Sequence, residues 1–155
     1  MSAALSPSFA LPEAMASQQP ILFYDGECGF CATTVQFILK HERARQYLRF
    51  ATLQGAMAAE IKQRHPRLAT IDSVVWFEPA GQGSGERVLV RSSAGLAVAR
   101  YLGGMWKVLG WLGWCVPKPL RDLAYRIIAK HRHRIVRNPT CLLPSPEQRA
   151  RFIDD

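Results

Sequence analysis

Short runs of continuous or alternating apolar residues are separated along this chain by stretches in which apolar residues recur every three or four positions. Residues 20 to 24 hold the uninterrupted run Ile21-Leu22-Phe23-Tyr24, the pattern of a strand covered on both faces. From Cys28 to His41, Cys31, Val35, Ile38 and Leu39 fall at i, i+4, i+7 and i+8, which predicts an amphipathic helix. Tyr47 to Leu53 alternates enough to be a second strand. Gly55 to Arg64, with Met57 and Ile61 four apart, predicts a second helix that Pro66 helps end. Ser73 to Phe77 is another buried strand, followed by the turn-rich Pro79 to Gly85 and by the alternating Arg87 to Arg91. Two strands joined by such a loop are most simply antiparallel. Ser92 or Ser93 can cap a third helix from Ala94 to Leu102, which Gly103-Gly104 then stops.

The order βαβαββα is that of the thioredoxin fold, an α/β architecture whose active site lies at the C-terminal end of the first strand. Beyond it come two additional helical segments, Met105 to Val116 and Leu120 to Arg137, separated by Pro117 and Pro119. With 155 residues, 48% of them hydrophobic, the chain suits one domain, residues 20 to 153, including the helical extension 105 to 137. Met1 to Gln19 is rich in Ala, Ser and Pro and lacks a basic region or a sustained apolar run, so it reads as a disordered leader rather than a secretory signal. No stretch of about 18 uncharged apolar residues predicts a membrane span. Few cysteines and no export signal make the reducing cytoplasm the expected compartment.

The chemistry concentrates in Asp25-Gly26-Glu27-Cys28-Gly29-Phe30-Cys31, where the first strand hands over to the first helix. A thiol at a helix N-terminus feels roughly half an elementary positive charge, which favours the reactive thiolate. A second cysteine one turn on can close a disulfide after the first has attacked a substrate. Cys28, normally the more exposed of such a pair, is the expected nucleophile, and Cys31 the resolving thiol. Asp25 has two readings: a proton acceptor for Cys31, or a turn or cap residue beside Gly26. Inert buried thiols and half a zinc site are the competing readings of the pair. Zinc fits poorly, because Cys115 and Cys141 stand singly, far along the chain, and the residues after Cys31 continue as a helix. No cofactor or metal is expected.

The net charge of +8 is concentrated near the C-terminus: residues 117 to 155 carry nine Lys or Arg against four acids. Leu120, Leu123, Ala124, Ile127, Ile128 and Ile135 form the apolar side of the last helix, and Arg126, Lys130, Arg132, Arg134 and Arg137 its charged surface. The plain expectation is that both extra helices pack on the sheet or on each other while the arginines face water. Tryptophans 106, 111 and 114 beside a basic helix also suit peripheral contact with a membrane or a protein through residues 105 to 137. Nucleic acid is an unlikely partner, since no recognised motif accompanies the charge. Cys141 reads as a small buried residue or as a third thiol on a tail.

With Asp25, Cys28 and Cys31 at this junction, the chain resembles the DCC family of thiol-disulfide oxidoreductase-like proteins. Leu102-Gly103-Gly104 with Trp106, Pro117-Lys118-Pro119-Leu120-Arg121-Asp122 with Tyr125, Ile128-Ala129 and Arg132, and Cys141 leading to Pro144, Pro146 and Arg151-Phe152 carry the resemblance over about residues 20 to 153. It implies a thioredoxin-like fold and protein-disulfide reductase activity with a redox-active disulfide, acting on a disulfide-containing protein or a small thiol and recharged by an unknown electron donor. The alternative is a non-catalytic thioredoxin-like adaptor that docks on a protein or membrane through its basic C-terminal helices. One departure bears on mechanism. Thioredoxins carry a proline just before the third strand, facing the active site, whereas this chain reads Thr70-Ile71-Asp72-Ser73.

Overall fold

The computed structural model describes residues 19–27, 29–42, 48–71, 73–81, 83–135 and 145–153. Cys28, Cys141 and nearly all of the expected leader therefore lie outside the described residues. Strands β1 (Ile21–Tyr24), β2 (Arg49–Thr52), β3 (Val75–Glu78) and β4 (Arg87–Val90) form one sheet in the order β2-β1-β3-β4. Helices α1 (Gly29–His41) and α2 (Ala56–Arg64) follow the first two strands, and a 3-10 turn, Pro66–Thr70, continues from α2. Then come α3 (Arg91–Leu102), α4 (Gly104–Trp114), α5 (Lys118–Ile135) and the short α6 (Pro146–Arg149).

β1 pairs parallel with β2 and antiparallel with β3, and β3 pairs antiparallel with β4. This is the thioredoxin-like arrangement. Its central strand is apolar throughout because both faces are covered: Leu22 and Tyr24 join one cluster with Val35 and Ile38 of α1 and Ala97 and Val98 of α3. Ile21 and Phe23 join the other, with Met57 and Ile61 of α2. The sheet's β2 edge is closed by the C-terminal segment, where Phe50 N donates to Arg151 O at 3.0 Å and Ile153 N to Phe50 O at 2.8 Å. Pairing removes an open edge that would otherwise recruit another chain.

The same segment locks the far end of α1. Arg151 forms a two-pronged ion pair with the buried carboxylate of Glu42, and its Nε also donates to Leu48 O at 3.0 Å. Tyr101 Oη donates to Glu42 at 2.8 Å. Burial, then the hydrogen bond to Glu42, pushes the Tyr101 phenol up to about 12.

Two expectations need correction. Neither Ser92 nor Ser93 caps α3: the helix starts at Arg91 directly after β4, its N-cap position is Val90, and both serines lie inside it. Arg91 makes the abrupt change of direction at φ 53°. Ser92 Oγ instead donates to Asp122 Oδ1 at 2.5 Å, joining α3 to α5.

The outer helices also depart from the plain expectation. α4 and α5 form a second layer over α3, and α5 also touches α1, but their large apolar residues point outward: Trp111 is 69% exposed, Leu112 60%, Leu123 52% and Ile127 54%. α4 turns Trp106 inward against Phe37 and His41 of α1, but along its seam with α3 what it turns inward is small. A Cβ on Gly110 would lie 3.2 Å from Ala99 Cβ, and one on Gly113 only 2.7 Å from Leu96 Cδ2, so these glycines let α4 sit close on α3. α5 turns inward Asp122 and, less deeply, Tyr125 and Ala129. No third layer of described residues covers the rest.

Candidate active site

β1 ends at Tyr24 and α1 begins at Gly29, so the chain must reverse within a few residues at the C-terminal end of a central strand. Asp25 organises that reversal. Its Oδ1 accepts from Glu27 N at 3.0 Å, a side chain closing a turn on the backbone two residues ahead. The same oxygen accepts from Gln54 Nε2 at 2.8 Å, while Gln54 Oε1 accepts from Gly26 N at 3.2 Å. Only one orientation of the Gln54 amide satisfies both bonds, since reversal would set oxygen against carboxylate. Gln54 therefore clips the turn to the β2–α2 connection. Gly26 fits this close approach, because a Cβ there would stand 3.3 Å from Thr52 Cγ2.

Cys31 occupies the first turn of α1 and is only 2% exposed, packed in the cluster that contains Tyr24 and Val35. Such a thiol is shielded from bulk oxidants and within reach of its own turn. Cys115, by contrast, is exposed just after α4, lines a separate cavity with Trp111 and Trp114, and is not brought to this site.

The turn is flanked by two cavities of opposite character. One, of about 440 Å³, is lined by Asp25, Gln54, Gly55, Lys62 and Ile71 among others, and Lys62 Nζ donates to Leu53 O at 2.8 Å beside it. The other, of about 320 Å³, is almost wholly apolar and includes Phe30, Phe37, Val74, Trp106, Tyr125 and Ile128. Phe30 comes from between the two cysteines of the motif. The turn thus has a carboxylate on one side and an apolar wall on the other.

At the end of the proline-free stretch 70–73 stands Ser73, whose buried Oγ has no hydrogen-bond partner among the described residues, followed by Val74 at the apolar cavity. The β1–β3 ladder ends at Phe23↔Val75, and continuing its register by two residues brings Ser73 level with Asp25. Ser73 and Gln54 are the residues that sequence reasoning did not single out. The absent proline pointed only to the stretch 70–73 that ends in Ser73, whereas nothing local marks Gln54, 29 residues from Asp25.

Residues 22–138 match the family model described as DCC1-like thiol-disulfide oxidoreductase. The chain is also 33% identical over 135 residues to a protein of Bacillus subtilis (strain 168) described as the uncharacterized protein YuxK, covering 86% of this chain and 93% of that one. No solved structure matches.

Proposed function

Because the chain belongs to the DCC1-like thiol-disulfide oxidoreductase family, we propose that it reduces disulfides through the Cys28/Cys31 pair. Cys28, which precedes the first helical residue Gly29 in sequence, attacks one sulfur of a substrate disulfide as the thiolate. A mixed disulfide forms and one substrate thiolate leaves. Cys31 then attacks the Cys28 sulfur, the second substrate thiolate departs, and a Cys28–Cys31 disulfide remains. Two electrons pass to the substrate, and the two protons of the dithiol end on its thiols. An external dithiol donor restores the pair, and the reducing cytoplasm is the compartment that suits such turnover.

The observation that carries this reading is the buried Cys31 in the first turn of a helix that leaves a central strand through an Asp25-organised turn. Asp25 takes two roles in it. Oδ1 holds the turn, and in this proposal the carboxylate also accepts the Cys31 proton as that thiol becomes the resolving nucleophile.

The pair is asymmetric, and that makes it testable. Cys28→Ser is expected to abolish disulfide reduction. Cys31→Ser is expected to attack and accumulate a covalent complex that dithiothreitol dissolves, visible on a non-reducing gel. If neither variant differs from the unmodified protein, the chain is a thioredoxin-like adaptor and not an enzyme.

A further inference from the structure

We propose that the outer face of α4 and α5 docks the protein on an anionic phospholipid bilayer. Beyond Trp106, which packs against Phe37, the packing of α4 is the reverse of what water selects. Gly110 and Gly113 fill its seam with α3, and Met105, Val108, Trp111 and Leu112 face outward. Small residues between helices and large apolar ones outside is the arrangement of helices whose surroundings are lipid. Leu120, Leu123 and Ile127 extend the exposed apolar face along α5. Trp111 and Trp114 supply the amphipathic rings favoured at a membrane–water boundary.

Charge selects the occupant. Residues 104–135 carry seven Lys or Arg and one acid, Asp122. That acid is buried and already held by Lys118 Nζ at 2.7 Å and by Ser92. Nothing acidic among these residues opposes a phosphate surface. Arg100 and Arg121 lie over the Trp114 ring at 5.5 and 5.2 Å, which sets two positive charges beside an exposed aromatic ring.

A second copy would set two basic faces against each other. The first 18 residues contain one charged side chain, Glu13, and cannot balance the face. No described helix is long and apolar enough to cross a membrane. At 11 residues α4 measures roughly 16 Å, about half a hydrocarbon core, so the helix lies in the interface.

Flotation of the full chain with phosphatidylcholine vesicles, with and without phosphatidylglycerol, tests this. Binding is expected only to the anionic vesicles, with a blue shift of tryptophan fluorescence, and it should weaken as salt shortens screening to about 8 Å. Arg126→Gln with Lys130→Gln should weaken binding roughly thirtyfold, about fivefold for each charge. Trp111→Ser should remove the blue shift and most of the binding, with thermal unfolding confirming that each variant is folded. No flotation with anionic vesicles at low salt overturns the proposal. So does a concentration-dependent dimer that Trp111→Ser dissolves in the absence of lipid binding. No thiol takes part in the assay, so its failure leaves the oxidoreductase reading untouched.

Discussion

Among the described elements β1 and α4 are the two most apolar, yet they end in opposite places. Ile21, Leu22 and Phe23 are at most 2% exposed, whereas Met105 and Trp111 are about 70% exposed. The difference lies in layers, not in hydrophobicity. β1 has a sheet neighbour on each edge and a helical layer on each face. α4 has α3 beneath it and no described layer above. Apolar residues in β1 therefore support the fold, whereas Met105, Val108, Trp111 and Leu112 on α4 stay exposed, open to the docking proposed above.

The sharpest way to break this contrast is to truncate one residue from each side. Phe23→Ala removes a fully buried ring and should cost about 3–5 kcal/mol in urea unfolding. Trp111→Ala should stay within about 0.5 kcal/mol, as surface changes do. A cost of several kcal/mol at Trp111 would mean that its face is packed.

The inner frame also has a polar lock, which should behave like core. Arg151→Ala strands the buried Glu42 carboxylate and should cost about 3–5 kcal/mol, while Glu42→Gln with Arg151→Met should recover much of that. Tyr101 belongs to this lock with its folded value raised to about 12. Its contribution is complete below the unfolded phenol value of about 10 and is lost as pH rises from there through about 12. Tyr101→Phe should therefore flatten the alkaline limb of a stability–pH curve.

Asp122 is the joint between the frame and the outer layer, and its effect should be intermediate. Hydrogen bonds from Lys118 and Ser92 hold its carboxyl below the ordinary value of 3.8. Asp122→Ala should cost about 1.5–3 kcal/mol at neutral pH. Because the folded value is depressed, that stabilisation is present above about pH 4 and disappears as pH falls through the depressed value, so the gap between the two proteins should close in acid. A gap that persists unchanged to acid pH would mean that the carboxylate is not what joins the layers.

The smallest change should come from Ser73→Ala. A buried hydroxyl with no partner among the described residues contributes nothing to stability, so its removal should leave the melting temperature the same or slightly raised. A lower rate of disulfide reduction in this folded variant would show that the hydroxyl serves substrate.

The sheet and its inner helices were readable because each apolar residue there obeys a local period. Cys31, Val35 and Ile38 lie on one helical face, Met57 and Ile61 on another, and β1 is continuous because both its faces are covered. Cys28 lies outside the described residues, while the placement of Asp25 and Cys31 around a strand end was legible as a motif. The orientation of α4 and α5 was not. A periodic pattern says which residues share a face but not which face meets the protein, and the decisive contact, Gly113 against Leu96, involves a residue with no side chain. Gln54 on Asp25 and Arg151 on Glu42 were invisible because they join positions 29 and 109 residues apart. Ser92 misled because a serine at a strand-to-helix junction is a good cap by type, while its hydroxyl is drawn to Asp122.

The redox equilibrium of the two motif cysteines tests the central claim most directly. The full-length protein is poised across ratios of reduced to oxidised dithiothreitol, quenched in acid, alkylated and mapped by peptide mass. Cys28 and Cys31 should become protected from alkylation together, in one two-electron transition that changes the oxidised-to-reduced ratio tenfold for about 30 mV. Cysteines that stay alkylatable under fully oxidising conditions, or that pair with Cys115 or Cys141 in place of each other, would contradict the account.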